Sequence, residues 1–215
     1  MKNKSKSSEY DKLVVEKYKK SIGANELKVL LTRFTTEGFT GRWRQVLASP
    51  STRVIGGGPN YSSVQAVYTL RKDGCLGVSN MAFDENFEKT GVKGKSRARV
   101  ASVPTCRTVE FPILNFNFSF EGDYWLYWLS PSLRTALVVA PLILNLFNRP
   151  FVVSDNIGFY LLTRDIREFW DSHEEHESAF KVLRKYGFTR FWNRPIPTAE
   201  SFNHNDDNEH IVQMD

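Results

Sequence analysis

Four histidines, His173, His176, His204 and His210, are the first candidates for proton transfer or metal binding in this chain. None falls in a stretch of strand-like alternation. His173 and His176 lie in a helical segment that is expected to face solvent, and His204 and His210 lie near the carboxyl end. No imidazole is therefore placed as a haem ligand or an interior base, no Ser-His-Asp constellation is visible, and neither a metal site nor a cofactor is expected. Gly56-Gly57-Gly58 could cradle a phosphate, but Pro59 follows where a helix would have to begin. Cys75 and Cys106 have a spacing that fits no metal or redox motif. A disulfide between them is open, and two isolated thiols are expected in a reducing compartment.

What remains is enclosure of something apolar. Sixteen Phe, eight Tyr and five Trp are many for 215 residues, and aromatic side chains both favour strands and line apolar cavities. A β-rich core alone would also use them. The informative pair is Gly41-Arg42-Trp43, opening a strand, and Arg164, ending Tyr160-Leu161-Leu162-Thr163-Arg164. The glycine permits a tight turn into the strand, the indole supplies a large plug, and a guanidinium can lie on its face. Trp43 alone reads as ordinary core, so the argument rests on the segments between the two.

Those segments read as successive strands: 41–48, 63–70, 75–83, 91–101, 107–120, 122–129, 134–144 and 156–164. Lys72-Asp73-Gly74 is a hairpin signal. Pro112 suggests an edge or bulge, and the long loop 49–61 is punctuated by Pro50, the glycine triplet and Pro59. The period then changes. Ser172 and Glu175 form a capping box, Ala179, Phe180 and Leu183 follow at helical spacing, and Gly187 stops the helix. A last short strand is expected over 188–192. Strands at hairpin distances argue for up-and-down β topology.

In order and spacing this chain resembles the lipocalin family over roughly residues 35–195. The residues that carry the resemblance are Gly41-Arg42-Trp43-Arg44-Gln45-Val46, Val67 to Gly74, Leu76-Gly77-Val78-Ser79-Asn80, Gly122-Asp123-Tyr124-Trp125, Ala136-Leu137-Val138 and Leu161-Leu162-Thr163-Arg164. The branch it looks most like is that of the bacterial lipoprotein lipocalins and apolipoprotein D. The resemblance implies an all-β fold, an eight-stranded up-and-down antiparallel β-barrel with one C-terminal α-helix packed outside. It also implies that loop 49–61 acts as a lid over the mouth, and that Gly41, Trp43 and Arg164 close the other end.

An eight-stranded barrel is wide enough for one small ligand. Counting by twos from Trp43 and Arg164 gives an inward set of Tyr68, Val78, Tyr124, Leu126, Trp128 and Tyr160. These are the expected ligand contacts, unless the same side chains fill the interior. The expected function is binding and carriage or storage of a small hydrophobic ligand, by family analogy a fatty acid or lysophospholipid. Lys72 near the rim and the basic strand at Lys93, Lys95, Arg97 and Arg99 are expected to attract an anionic head group. The alternatives are a filled-barrel protein-interaction module using its tails and the apolar stretch 145–155, or a cysteine-dependent lipid isomerase. On this register Cys75 points away from the interior.

Net charge is +5, unevenly spread. Lysines crowd residues 1–26, read as a flexible basic segment with weak attraction to an anionic membrane surface. Residues 27–198 form the expected barrel domain, and 199–215 an acidic flexible tail. The basic residues do not interleave with aromatics as a nucleic-acid module would, so no nucleic-acid partner is expected. No hydrophobic signal region, lipidated-cysteine signal or membrane-spanning run is seen, which makes a cytoplasmic location the expectation.

Overall fold

Alternating apolar residues punctuated by turn signals build eight strands, seen in a computed structural model that describes residues 3–55, 63–83, 89–99, 103–112, 119–146 and 149–198. They are β1 (Gly41–Ala48), β2 (Ser63–Leu70), β3 (Leu76–Phe83), β4 (Lys89–Ala98), β5 (Cys106–Pro112), β6 (Ser119–Leu129), β7 (Thr135–Leu146) and β8 (Arg149–Thr163). Each pairs antiparallel with the next, and β1 pairs with both β2 and β8, which closes an up-and-down barrel. A two-residue strand, β9 (Ile196–Pro197), adds to the outer run of β1 at Leu47 and Ala48. The expected strand at 188–192 is instead a turn. Gly187 adopts φ +77, Asn193 Oδ1 accepts from the Arg190 amide at 2.9 Å, and Phe188 packs on Phe159.

One end of the barrel is marked by Gly41, Leu70, Leu76, Ala98, Cys106, Leu129, Thr135 and Thr163, with short turns joining Leu70 to Leu76 and Leu129 to Thr135. At one of them Gly74 adopts φ +76 and the Asp73 carboxylate accepts from the Cys75 amide at 3.0 Å. The opposite end is the mouth. Residues 56–62 of the expected lid lie outside the described residues, but 50–55 form a short helix, α3 (Pro50–Ile55). The hairpin of β7 and β8 reaches Leu146 and Arg149, so residues 145–146 and 149–155 of the apolar stretch extend the rim as strand, while 147–148 lie outside the described residues.

After β8 come α4 (Ile166–Asp171) and α5 (His173–Lys185), lying outside the barrel. Asp165 caps the first, accepting from the Glu168 amide at 2.9 Å, and Ser172 caps the second, accepting from the Glu175 amide at 3.3 Å. Ala179 and Leu183 are the buried stripe of α5.

The amino end differs from its expectation as a flexible segment. It forms α1 (Asn3–Ile22) and α2 (Ala24–Arg33). Val14, Val15, Tyr18 and Ile22 fall on one face of α1 and are buried against the outer wall of the barrel. The Tyr18 hydroxyl donates to the Leu126 carbonyl at 2.7 Å and lies 2.9 Å from the Thr105 hydroxyl, while its ring packs edge-on against Trp125. Arg99 fixes the helix electrostatically: its Nη1 donates to Asp11 at 2.6 Å and its Nε to Asp123 at 2.7 Å. Lysines hide this face from a composition-based reading, because Lys12, Lys17, Lys19 and Lys20 occupy the exposed side. The expected acidic tail, 199–215, lies outside the described residues.

Candidate functional site in the barrel interior

The closed end is built around Trp43, which is fully buried. The Arg164 guanidinium lies 3.8 Å from its ring, and Phe39 stacks on it at 4.7 Å. Indole Nε1 donates to the Phe39 carbonyl at 2.9 Å. Arg164 donates in turn to the carbonyls of Arg42 at 2.9 Å and Gly38 at 2.8 Å, so one side chain ties the entry of β1 to the exit of β8. Gly41 adopts φ +93, and a Cβ there would come 3.1 Å from Arg164 Nη1. The positive φ favours glycine, and a Cβ there would press on the guanidinium. Burial, and then the neighbouring charge of Arg134, pull the Arg164 pKa down to about 10.

Above this plug the inner face follows from the ladder. Trp43 pairs with Ala66, Tyr68 with Val78, Arg107 with Tyr124, and Leu126 with Val138, which pairs with Tyr160. Five of the six expected contacts, Tyr68, Val78, Tyr124, Leu126 and Tyr160, therefore lie on the inner face. Trp128 does not. A bulge between Leu126 and Trp128 shifts the register, so that Trp128 opposes Leu137 on the outer face. A second bulge, between Gln45 and Leu47, keeps Gln45 inside opposite Leu162 and turns Leu47 outward opposite Leu161. Counting by twos across a strand cannot see such an insertion.

The Tyr68 and Tyr124 hydroxyls meet across the interior at 2.5 Å. Tyr68 is buried, whereas Tyr124 and Tyr160 are only half-buried although their side chains point inward. Burial raises the Tyr68 and Tyr160 phenols to about 12 and pushes Tyr124 well above its ordinary value, so all three stay protonated and can donate at neutral pH.

Arg107 is the site residue that the sequence reading missed. It is 5% exposed, and it donates through Nε to Ser96 Oγ at 2.7 Å, through Nη1 to the Pro104 carbonyl at 3.1 Å and through Nη2 to the Ser96 carbonyl at 3.2 Å. The signal was its parity with Val109 and Phe111; a charged residue at such a position is ordinarily read as facing water. The lysines expected at the rim sit elsewhere. Lys72 lies in the turn after β2, at the closed end, and Lys93, Lys95 and Arg97 are on the outer face, because Gly94, Ser96 and Ala98 take the inner one. Lys95 pairs with Asp73 and Arg97 with Glu110.

At the mouth, Thr52 of α3 lies over the inner face of β8. A Cβ on Gly158 would come 2.6 Å from Thr52 Cγ2. Thr52 Oγ1 donates to the Ser49 carbonyl at 2.8 Å, and Ser51 donates to the Ile157 carbonyl. The start of the expected lid is thus pinned to the strand beside it.

The thiols of Cys75 and Cys106 are free, and burial raises Cys106 to about 12, which keeps it a thiol. His173, His176 and Glu177 bring ligand atoms within 4.8 Å of one another on α5, outside the barrel, with His173 and Glu177 exposed. Among the described residues no helix is long and apolar enough to cross a membrane.

Comparison with known proteins agrees with this architecture. A lipocalin-like domain family matches residues 35–155. No curated protein sequence matches the chain. Among solved structures, apocrustacyanin A1 from lobster is 11% identical with a TM-score of 0.51, covering 75% of this chain and 77% of its own. Apocrustacyanin C1 is 10% identical with a TM-score of 0.56, covering 83% of this chain and 87% of its own. Lipocalin 12 from rat epididymis is 15% identical with a TM-score of 0.55, covering 82% of this chain and 91% of its own. At these identities the likeness is one of fold.

Proposed function

The chain belongs to the lipocalin family, a family of calycin β-barrels that generally bind small hydrophobic ligands, and from that premise we propose that it carries or stores a single-chain lipid, a fatty acid or lysophospholipid, inside the barrel. The observation that carries this reading is that Tyr124 and Tyr160, both on the inner face, are only half-buried, above a floor where Trp43 and Leu76 are fully buried. A filled barrel would have buried those two rings as completely. The order of the strand motifs supports placement beside the bacterial lipoprotein lipocalins and apolipoprotein D. Weak contact with anionic membranes belongs to the same reading, supported by the exposed lysines of α1 beside the exposed Val29 and Leu31 of α2.

Denaturing extraction and mass spectrometry of the purified protein test the proposal. A stoichiometric lipid, or saturable quenching of tryptophan fluorescence by palmitate, is the expected result. An empty protein with no fluorescence response to fatty acids or lysolipids would favour a filled interaction module instead. Turnover of a lipid that Cys75→Ser abolishes would favour the isomerase.

A further inference from the structure

Arg107 is a buried cation with no anionic partner among the described residues. Its three hydrogen bonds go to a serine hydroxyl and two backbone carbonyls, and no carboxylate of a described residue pairs with it. Arg99, with a side chain 9% exposed, shows how this protein otherwise treats such a group: two carboxylates, Asp11 and Asp123, flank it. A buried charge without a counter-ion is costly, and neutral acceptors compensate it only in part. The two remaining Nη protons of Arg107 have no acceptor among the described residues. Beside it, Tyr68 and Tyr124 share one proton between their oxygens at 2.5 Å, which leaves the second hydroxyl proton free to donate. Tyr124 is the half-buried member of the pair and pairs directly with Arg107 across the ladder.

We propose that the inner wall around Arg107 and Tyr124 is an oxyanion subsite, and that a bound amphiphile enters head-first, its carboxylate or phosphate accepting from both residues while its chain runs past Tyr160 toward the mouth. The proposal rests on the carrier reading and adds to it the ligand's charge and direction. The outer lysines cannot play this part. Lys72 lies in a closed-end turn, and Lys93 and Lys95 project outside. An apolar chain suits the rest of the inner face, where Leu126, Val138 and Leu162 are buried and uncharged.

The test titrates the delipidated full chain with palmitate, with hexadecanol, which has the same chain length and no charge, and with 1-palmitoyl lysophosphatidate. Wild type should prefer an anionic ligand over hexadecanol by about tenfold or more, the worth of one charge-assisted contact. Whether palmitate or lysophosphatidate is tighter separates a carboxylate from a phosphate. Arg107→Met should abolish the preference while leaving hexadecanol affinity within about twofold. Arg107→Lys should retain part of it. If Arg107→Met fails to fold, Tyr124→Phe carries the test, lowering affinity for the anion more than for the alcohol. Equal binding of anion and alcohol to wild type, or a preference that survives both Arg107→Met and Tyr124→Phe, overturns the subsite and leaves the carrier reading standing. If none of the three ligands binds wild type, both readings fall.

Discussion

Replacing Arg164 by alanine should destabilise the barrel without touching its ligand. The guanidinium lies 3.8 Å from the Trp43 ring and is half-buried, which makes the cation–π contact worth about 1–2 kcal/mol. Its bond to the Arg42 carbonyl, partly buried, adds about 1 kcal/mol, and the exposed bond to Gly38 about 0.5. The sum is about 3 kcal/mol, which for a domain of this size lowers the melting temperature by about 6–12 °C. Arg164→Lys keeps the charge but loses the flat face and the forked donors, so it should fall between wild type and alanine. Arg134→Ala is the control. It breaks an exposed ion pair with Glu168 and relieves the repulsion that Arg134 exerts on Arg164, so its melting temperature should stay within about 2 °C of wild type. Differential scanning calorimetry and palmitate titration, run on the same samples, decide the matter. A loss below about 3 °C for Arg164→Ala, or an affinity loss above about tenfold at an unchanged melting temperature, would refute the assignment of this residue to closure.

Tyr18→Phe deletes one hydroxyl and leaves the Leu126 carbonyl without that donor, so chemical denaturation should register a loss of about 1–2 kcal/mol. A change within error of zero would mean that α1 is not docked as described. Alkali supplies a third test. Tyr68 and Tyr160 titrate at about 12 in the folded chain against an ordinary value of 10.0, so the stability linked to them is fully present below pH 10.0 and lost as pH rises through about 12. Phenolate absorbance and circular dichroism should therefore change together in that window; phenolate appearing at pH 10.0 for every tyrosine, with the fold intact, would contradict the burial. Reversing the charge of Lys17, Lys19 and Lys20 together should abolish co-sedimentation with phosphatidylserine vesicles while leaving palmitate binding unchanged, and undiminished sedimentation would remove α1 as the membrane contact.

The barrel was legible because its signals are local. β1 and β2 begin and end where alternation and turn residues place them, and α5 begins at its capping box. The Trp43 and Arg164 pair was readable across the whole chain, since each is marked by its own strand end. What escaped notice depends on one partner being known before the other. The bulges at β1 and β6 are decided by the pairing of neighbouring strands, so parity carried Trp128 inside when the register carries it out. The docked face of α1 is spread over Val14, Val15, Tyr18 and Ile22 among lysines, and it becomes apolar surface only when Trp125 and Tyr127 turn outward to receive it. Arg107 was passed over for the opposite reason: a charged residue on an inner face contradicts the pattern that makes strands readable, and such contradictions gather at functional positions.

The amino-terminal helix and the interior arginine belong to one arrangement. The described ends of the connection between β4 and β5 are held from outside by α1, through Asp11 on Arg99 and Tyr18 on Thr105. The same stretch holds Arg107 from inside, because the Pro104 carbonyl, next to Thr105, accepts from its Nη1 at 3.1 Å. The Arg99 amide donates to the Cys106 carbonyl at 3.0 Å, which ties the two ends together. A buried guanidinium is useful to a ligand only if its donors are already aimed, since aiming them during binding would consume the affinity they provide. The lysine-rich segment thus braces the proposed subsite without reaching it. It braces the wall at the height of the charge, while the indole plug seals the floor below; at the opposite end the short helix beside Gly158 is attached chiefly by the hydroxyls of Ser49, Ser51 and Thr52.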